Sequence, residues 1–496
     1  MGIIEKQASK STVFIYLGIL IGFLNTILFP HFLSAEKKGI LDAITSASFL
    51  LTSIFTIGLP LVTLRHFPKF RNKSEKNYGF VGFSFLVTLF GTLLGILFLK
   101  YIFQEKVSEQ YQNLFYFFLL FFAFFFRLIF SNLDAFIRMT FNTVLGIFSS
   151  NLVLKLINLS SILLFAFSII NLKTLFIVFV FGLCSPGIIS IIYIVFSPDL
   201  GLNISKFFSR VQSLNLKSDI LKTSIFGFFG SIGSVMVLEI DRIMLLDMLG
   251  SKEVGIYATA ALFGVVVNVP SRSLRGISSA VISESWKKKD LHTISTIYKK
   301  ATLNLQIISG FLFISILICA PYLFTLMKPE YSLGIGIIIY IAFAQFLDAF
   351  TSVNSEILSS SILYRFQTFF IFLMVALVIG LNYLLIPIYG IEGAAISTML
   401  SLSFINIFRT IFIWYRFKLH PFTKQNVSVF ILLIILYLIS YNLNELLSFN
   451  PILSFILMMI FISTFYWAFI FKLKLSEDIN NKASSILQSL KNKISK

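Results

Sequence analysis

The feature that most constrains this chain is a series of long apolar runs that follow one another from end to end. Each run has the length of an α-helix that crosses the hydrocarbon core of a membrane, about 18–25 residues, and we count about fourteen of them. Hydrophobic residues make up 57% of the chain and charged residues 12%, whereas soluble domains carry roughly 25% charge. Because lipid offers the backbone no hydrogen bonds, such runs form helices. The sequence therefore predicts an all-α polytopic membrane protein.

The predicted spans are separated by short polar connections. The segment before the first span, MGIIEKQASK, lacks the cleavage site of a secretory signal, and the apolar run after it is too long for one. We therefore expect the first span to remain in the membrane and to enter it from the cytoplasm. We place the spans near 12–33, 40–64, 78–103, 112–138, 143–169, 174–196, 221–249, 254–282, 300–326, 332–360, 362–386, 391–415, 426–444 and 450–471.

Basic residues are concentrated in alternate loops. An even number of spans places both termini on one side, and if that side is the cytoplasm, it also holds the basic segments 65–77, 197–220, 287–300 and 473–496. This distribution follows the positive-inside rule. Contact with anionic membrane lipids then explains the net charge of +18, and we expect no nucleic-acid partner.

Two loops begin alike, with Glu-Lys-Lys-Gly39-Ile40 before the second span and Lys-Glu-Val-Gly255-Ile256 before the eighth. The offset of about 216 residues also aligns the basic loops that follow each of these spans. Since each repeat holds an even number of spans, the sequence predicts two parallel six-helix bundles around a central cavity, plus two extra C-terminal helices. The predicted parts are a first bundle at 1–196, a cytoplasmic linker at 197–220, a second bundle at 221–415, the extra helices at 416–472 and a cytoplasmic tail at 473–496.

The linker and the tail both have amphipathic patterns flanked by Lys and Arg. Each pattern fits a helix that lies on the inner membrane surface, and it fits equally a helix that packs against the bundle. The apolar stripes are Ile204, Phe207, Phe208, Val211 and Leu214 in the linker, and Ile479, Ala483, Ile486, Leu487, Leu490 and Ile494 in the tail.

Charged and amide residues recur inside the predicted spans, often on one helical face. Each charge near the bilayer centre costs at least about 2.5–3.5 kcal/mol on insertion scales, so these faces meet protein or water. We expect them to line a shared hydrated cavity. The candidate substrate-binding residues are Arg127, Lys155, Asn268, Arg272, Arg275 and Arg409, and the candidate cavity acids are Asp134, Glu239, Asp241, Asp348 and Glu356.

Local pairing is the alternative explanation for some of these charges. Glu239 with Arg242, and Asp134 with Arg138, have the spacing of ion pairs within one helix. The other cations lack such partners, and arginine suits phosphate because its charge does not titrate and its hydrogen bonds are bidentate. The acids can instead bind a coupling proton or sodium ion. We expect no other cofactor and no metal site.

Proline and cysteine add smaller constraints. Pro60, Pro186 and Pro270 interrupt predicted spans, and each removes a helical hydrogen bond and permits a bend. Bends of this kind suit an alternating-access carrier, and packing kinks are the simpler explanation, especially at Pro186. Both cysteines, Cys184 and Cys319, lie in apolar runs and are interpreted as small buried hydrophobes.

Two junctions between spans carry a family resemblance. DRIMLLDMLGSKEVGIYATAALF (241–263) and LNYLLIPIYGIEGAAISTMLS (381–401) resemble those of Wzx-type polysaccharide flippases of the multidrug/oligosaccharidyl-lipid/polysaccharide (MOP) exporter superfamily. The basic loop LRHFPKFRNKSEKN after the second span is also similar. The resemblance implies translocation of undecaprenyl-diphosphate-linked oligosaccharide across the bacterial inner membrane for O-antigen or lipopolysaccharide synthesis, in some members driven by an ion gradient. It also implies a glycan polymerase and chain-length machinery as partners.

Two other functions remain open at this level. A drug or cation exporter with the same fold would favour acidic and aromatic cavity residues, which the arginines oppose. A membrane-bound glycan polymerase or ligase would need a platform for chemistry outside the membrane, and the predicted outer loops, such as QEKVSEQYQN, are short and have no acid pair or histidine suited to catalysis.

Overall fold

The structure is a computed structural model that describes residues 3–481 except 73, 106–113, 198–200, 352 and 447–449, together with residues 484 and 488. Inside some helices particular side chains also lie outside the described part. The side chain of Arg272 is one of these. In the tail, the predicted apolar stripe lies outside the described residues from Ala483 onward.

The described residues form helices joined by turns, with no strand among them. A π-helical turn, Phe148–Val153, joins α6 to α7, and short 3₁₀ turns occur at Phe67–Lys69, Lys76–Gly79 and Pro329–Gly334. The helices are α1 (Ile3–Phe32), α2 (Ala35–Phe55), α3 (Leu59–His66), α4 (Phe80–Glu105), α5 (Leu114–Met139), α6 (Val144–Ile147), α7 (Leu154–Ala166), α8 (Leu172–Val195), α9 (Ile204–Ser213), α10 (Lys217–Met248), α11 (Ser251–Val266), α12 (Val269–Lys287), α13 (Leu291–Phe324), α14 (Ile335–Phe350), α15 (Val353–Ser360), α16 (Tyr364–Phe417), α17 (Lys424–Leu446) and α18 (Pro451–Lys472).

Twelve helical segments of the described residues are long and apolar enough to cross a membrane, and the predicted fold class is confirmed. The difference from about fourteen spans has two sources. The predicted span 254–282 is divided between α11 and α12, so it does not count as one apolar helix. The predicted spans 362–386 and 391–415 both lie in α16.

The 54 residues of α16 would extend about 80 Å as a straight helix, far more than the roughly 30 Å of a hydrocarbon core. The chain instead reverses at Gly390, whose φ of 59° and ψ of −135° are accessible to glycine and strained for other residues. Two antiparallel arms follow, because Ser397 donates a hydrogen bond to the Val378 carbonyl (3.2 Å) and the Phe370 ring lies 5.9 Å from that of Phe408. The motif PIYGIEGAA therefore forms the connection between the two predicted spans 362–386 and 391–415.

Two of the three predicted proline interruptions are breaks between helices. Pro60 is in the first turn of α3, after Gly58 at a φ of 69°, and Pro270 is in the first turn of α12, after Asn268. In both places proline starts a helix, where its missing N–H would have no helical partner. Pro186 lies within the continuous helix α8 and is buried, which agrees with a packing role.

The helices cluster into two compact units, Met1–Asp247 (unit 1) and Met248–Lys496 (unit 2). Unit 1 includes α10, the helix that the repeat assigned to the second bundle. In unit 2 the last two helices dock on α13, where Gln306 and Asn426 form a buried amide pair (2.6 Å) and Tyr466 donates to the Ile307 carbonyl (2.8 Å). Cys184 and Cys319 are buried as predicted.

The linker helix α9 packs against the helices of unit 1. Phe207 is 2% exposed and its ring stacks on Phe83 with centroids 4.0 Å apart, in a core that also contains Phe70, Phe80 and Val211. Of the two placements left open by the sequence, the structure therefore favours packing against the bundle for this side of α9.

Candidate functional site

The charged residues of the spans form one main cluster in each unit. The unit 2 cluster is centred on the Asp348 carboxylate. The unit 1 cluster is centred on the Glu239 carboxylate.

Asp348 lies in the last turn of α14, where the negative end of the helix dipole disfavours a carboxylate. Three side-chain donors, two at α12 and one on α16, compensate for this. Asn268 donates to Oδ2 at 2.7 Å, Arg275 donates to the same oxygen at 2.9 Å, and Asn406 donates to Oδ1 at 3.0 Å. Both carboxylate oxygens are thus engaged, and Asp348 is the acceptor that joins α12, α14 and α16.

The break between α11 and α12 brings Asn268 to this carboxylate. Proline at position 270 starts α12, and the residues before it make tight turns, with the Asn268 N–H bonded to the Val265 carbonyl (3.1 Å). The Asn268 amide then reaches Gln345 Oε1 (2.9 Å) in addition to Asp348. The candidates Asn268 and Arg275 therefore lie together with Gln345 and the candidate acid Asp348.

Arg409 differs from Arg275 in having no anionic partner at contact distance among the residues that the structure describes. It is 8% exposed, on the second arm of α16, and its guanidinium lies 5.7 Å from the centre of the Phe370 ring on the first arm. It interacts electrostatically with Asp348, which attracts it, and with Arg275, which repels it. Among the described residues it makes no ion pair within 4.0 Å, and its Nε has no hydrogen-bond partner.

The unit 2 cluster consequently carries more positive than negative charge. One carboxylate faces two guanidinium groups, and three amide side chains surround them. A buried charge without a partner costs several kcal/mol, so an arrangement that retains Arg409 is suited to receive an anion. Guanidinium donors match phosphate oxygens in geometry, and amides suit hydroxyl groups.

In the unit 1 cluster, Glu239 on α10 accepts hydrogen bonds from two sides. Ser46 on α2 donates at 2.6 Å, and Arg242 forms the predicted local ion pair at 2.8 Å. Further along the same pair of helices, Ser231 donates to the Ser53 carbonyl (2.9 Å). Polar contacts therefore hold α10 antiparallel to α2, which explains why Glu239 is buried.

Arg127 on α5 has a setting like that of Arg409. Its guanidinium lies over the Phe49 ring and senses the charge of Glu239, and it makes no ion pair within 4.0 Å among the described residues. Asp241 is 6% exposed on the buried side of α10 and is engaged in its own interactions. Each unit therefore combines a carboxylate, a paired arginine and a second arginine on a phenylalanine ring.

Two other candidates of unit 1 lie apart from Glu239 in their contacts. Lys155 donates to the Gly18 carbonyl (2.9 Å) and so joins α7 to α1. Asp134 pairs with Arg138 at 2.6 Å, as its spacing predicted, and a β-carbon on Gly146 would collide with its carboxylate. Both residues act at least in packing.

In unit 2, Glu356 lies on α15 and accepts one hydrogen bond, from Ser355 at 3.3 Å. It has no cationic partner within 4.0 Å among the described residues. The Arg272 candidate lies outside the described side chains, so its role stays a prediction.

Sequence reasoning missed several polar partners. Ser46 and Asn406 are small, uncharged polar residues in largely apolar runs, and no charge marks them. Asn354, which is fully buried, accepts from Tyr298 and donates to Thr410 (2.8 Å). Their spacing from a charged candidate could have indicated two of these residues, because Asn406 and Thr410 lie within one helical turn of Arg409 in the same predicted span.

Comparisons with known proteins identify the family and the fold of the chain. The polysaccharide biosynthesis protein family matches residues 5–270, more than half of the chain. Among solved structures, the lipid II flippase MurJ in an inward closed conformation superposes with a TM-score of 0.69 at 13% identity, over 94% of this chain and 99% of that one. No curated protein sequence matches the chain.

Two transporter structures share the fold at lower similarity. A MATE protein in complex with MaL6 has a TM-score of 0.56 at 11% identity, over 83% of this chain and 96% of that one. A MOP superfamily transporter from Pyrococcus furiosus has a TM-score of 0.53 at 12% identity, over 83% of this chain and 95% of that one. At these identities the likeness shows the fold alone. The family match and the shared fold confirm the resemblance drawn from the sequence, and the chain belongs to the polysaccharide biosynthesis protein family, with the fold of the MOP superfamily flippases and transporters.

Proposed function

We propose that the protein flips an oligosaccharide carried on a lipid diphosphate, of the undecaprenyl-diphosphate type, across the bacterial inner membrane by alternating access. The single observation that carries the proposal is Arg409, which is 8% exposed inside a span and unpaired among the described residues. A diphosphate supplies the anion that this guanidinium lacks. The match to the polysaccharide biosynthesis family makes a glycan carrier the appropriate class of substrate.

The neighbours of Arg409 extend this proposal to the sugar. Asn268 and Gln345 already form an amide pair beside Asp348, and amide groups can exchange partners with hydroxyl groups at little cost. The proposed division of roles is that Arg409 and Arg275 hold phosphate while the amides contact the glycan.

Orientation and coupling belong to the same proposal. The positive-inside distribution supports a cytoplasmic position for both termini, and a glycan polymerase with its chain-length machinery would use the product on the outer side. A proton or sodium gradient would drive the cycle. Glu356 is the acid best suited to receive such an ion, because its one hydrogen bond comes from Ser355, whereas Glu239 and Asp348 already face arginines.

The test is flipping of a fluorescent diphosphate-linked oligosaccharide in liposomes that contain only the purified protein. Arg409→Gln should lower the rate at least tenfold, because charge-assisted hydrogen bonds contribute about 1.5–3 kcal/mol. Arg409→Lys should recover part of it. Arg416→Gln is the matched control, since Arg416 lies on the same helix and is exposed at its end.

Each variant must first show the elution volume and melting temperature of the wild type, so that a loss of rate reports on substrate. Flipping by Arg409→Gln at the wild-type rate contradicts the phosphate role. Transport of lipophilic cations with no flipping of the diphosphate lipid would instead support the exporter alternative. Equal rates with and without a proton or sodium gradient would remove the coupling from the proposal.

A further inference from the structure

A polar groove of about 450 Å³ lies in unit 1, away from the Glu239 cluster. One wall is a face of α9 with Ser205, Ser209 and Ser213 one helical turn apart, and Lys206 and Arg210 beside them. The other wall is the segment that precedes α4, with Glu75 and Tyr78.

The groove has an excess of positive charge. Lys206 pairs with Glu75 at 3.0 Å, and both side chains are half exposed. Arg210 lies 4.8 Å from the centre of the Tyr78 ring, and its Nε is buried with no hydrogen-bond partner in the part of the chain that the structure describes. Among the described residues Arg210 forms no ion pair within 4.0 Å. One cation of the groove is therefore left for a ligand.

The hydroxyl groups complete a donor set for phosphate. Ser209 is exposed, and its hydroxyl makes no hydrogen bond to the residues that the structure describes. A guanidinium, an ammonium and a hydroxyl on one short helical face can share the oxygens of a single phosphate group. A cationic ligand would be repelled by Arg210, and a neutral one would make weaker hydrogen bonds to it than an anion.

A strained turn holds the groove in shape. Lys76, Asn77 and Tyr78 have φ values of 45°, 53° and 50°, in the left-handed region that disfavours side chains, and this turn places Tyr78 under Arg210. A β-carbon on Gly79 would collide with the Asn203 carbonyl at the start of α9, so the two walls are in backbone contact. Sustained left-handed backbone in non-glycine residues is found where the surroundings enforce it, often at binding sites.

The groove lies where the chain enters the membrane. The candidate membrane span that contains α4 begins at Lys76, in the same turn as Tyr78. On α9, Phe208 is 54% exposed, and its ring contacts that of Phe83 in the first turns of α4. An apolar surface thus adjoins a cationic groove, which is the pattern that a lipid with an anionic headgroup would match.

We propose that this groove binds the phosphate of an anionic phospholipid headgroup, with Arg210 as the main ligand and Glu75 as a competing anion for Lys206. The binding would fasten α9 and the start of α4 to one leaflet. It involves none of the residues assigned to substrate, so it stands or fails separately from the proposed function.

The test is native mass spectrometry of the purified full-length protein with added phosphatidylglycerol. Arg210→Gln should weaken retention of this lipid at least tenfold. Glu75→Gln should strengthen it several-fold, because Lys206 is then released to the phosphate. Lys217→Gln, which removes an exposed charge at the start of α10 outside the groove, should leave retention unchanged.

Two further arms separate the sources of phosphate. Phosphatidylcholine, which has the same phosphate and a cationic headgroup, should bind at least tenfold more weakly than phosphatidylglycerol. Inorganic phosphate at equal concentration should not displace the lipid, and if it does, the groove is a site for free phosphate and the lipid assignment is wrong. Equal losses in Arg210→Gln and Lys217→Gln, at unchanged melting temperatures, would show diffuse attraction and overturn the site itself.

Discussion

Replacing Asp348 with Asn should destabilise unit 2 strongly, although the two side chains have nearly the same shape. Asparagine removes the charge and replaces one acceptor oxygen with an NH₂ donor. The wild-type carboxylate uses both oxygens, accepting from Asn268 (2.7 Å) and Arg275 (2.9 Å) on one and from Asn406 (3.0 Å) on the other. In either amide orientation, at least one of these donors would face another donor.

The expected magnitude follows from burial. Breaking a fully buried ion pair costs about 3–5 kcal/mol because the remaining charge is left uncompensated. Here the side chains of Arg275 and Asp348 are 31% and 17% exposed, so solvent screens part of the interaction and about 2–3 kcal/mol is the appropriate loss. Removing the carboxylate also raises the net charge of the cluster by one, and that cluster already contains Arg409.

Glu356→Gln is the matched control for this measurement. Glu356 is the neighbouring acid on α15, and its one hydrogen bond, from Ser355, is 3.3 Å long. Its replacement should change stability by less than about 0.5 kcal/mol, as for a side chain outside a polar network. The free energy of unfolding can be measured by denaturing titration in mixed micelles, with the helix content as the signal.

A double-mutant cycle separates the pair from its surroundings. If Arg275 and Asp348 interact as described, Arg275→Gln combined with Asp348→Asn should cost at least about 1 kcal/mol less than the sum of the single changes. Additive losses, or a loss in Glu356→Gln equal to that in Asp348→Asn, would refute the view that Asp348 joins these helices by accepting their hydrogen bonds.

Two further changes test the fold and its response to pH. Gly390→Ala should destabilise the protein by about 1–3 kcal/mol, because the φ of Gly390 is 59° while no described atom lies within 4 Å of an added β-carbon. Gly380 is equally open but helical, so Gly380→Ala should raise the free energy of unfolding by about 0.5–1 kcal/mol. Similar effects of the two changes in the same unfolding titration would exclude backbone strain. Burial, reinforced by Lys69 and Arg65, lowers the pKa of His66 below its usual 6.5, although Asp219 opposes the shift. The unfolded chain therefore takes up the proton first as pH falls through about 6.5, and stability is lost below that pH. His66→Gln should reduce the decrease in melting temperature between about pH 7.5 and 5.5, and an unchanged decrease would exclude His66 as its source.

The positions of the spans and much of the unit 2 cluster could be predicted from the sequence. Lipid permits polar side chains only on protected faces, so the stripes containing Asn268, Arg275 and Asp348 had to face protein or water. The structure brings these three together. The reversal at Gly390 was also predictable, because the glycines in PIYGIEGAA interrupt an apolar run too long for one span.

The pairing of helices was less predictable. The repeat assigned α10 to the second bundle, a division that stays a prediction, and it gave no indication that Glu239 and Ser231 of α10 contact α2. Periodicity describes which face of a helix is polar, and it carries no information about which other helix meets that face. For the same reason the sequence left two placements open for α9, whose Phe207 packs in the core of unit 1.

The balance of partners inside each unit bears on what is transported. Glu239, Asp134 and Asp348 each accept a hydrogen bond from an arginine, while Arg127 and Arg409 rest on phenylalanine rings without an ion pair within 4.0 Å among the described residues. A ring face compensates a cation by roughly 0.5–2 kcal/mol, less than the several kcal/mol that burial of a charge costs. The positive charge of each arginine is therefore only partly compensated. An anionic substrate would compensate the rest, whereas a cationic substrate would add to the positive charge. For this reason we favour a lipid diphosphate over a cationic drug.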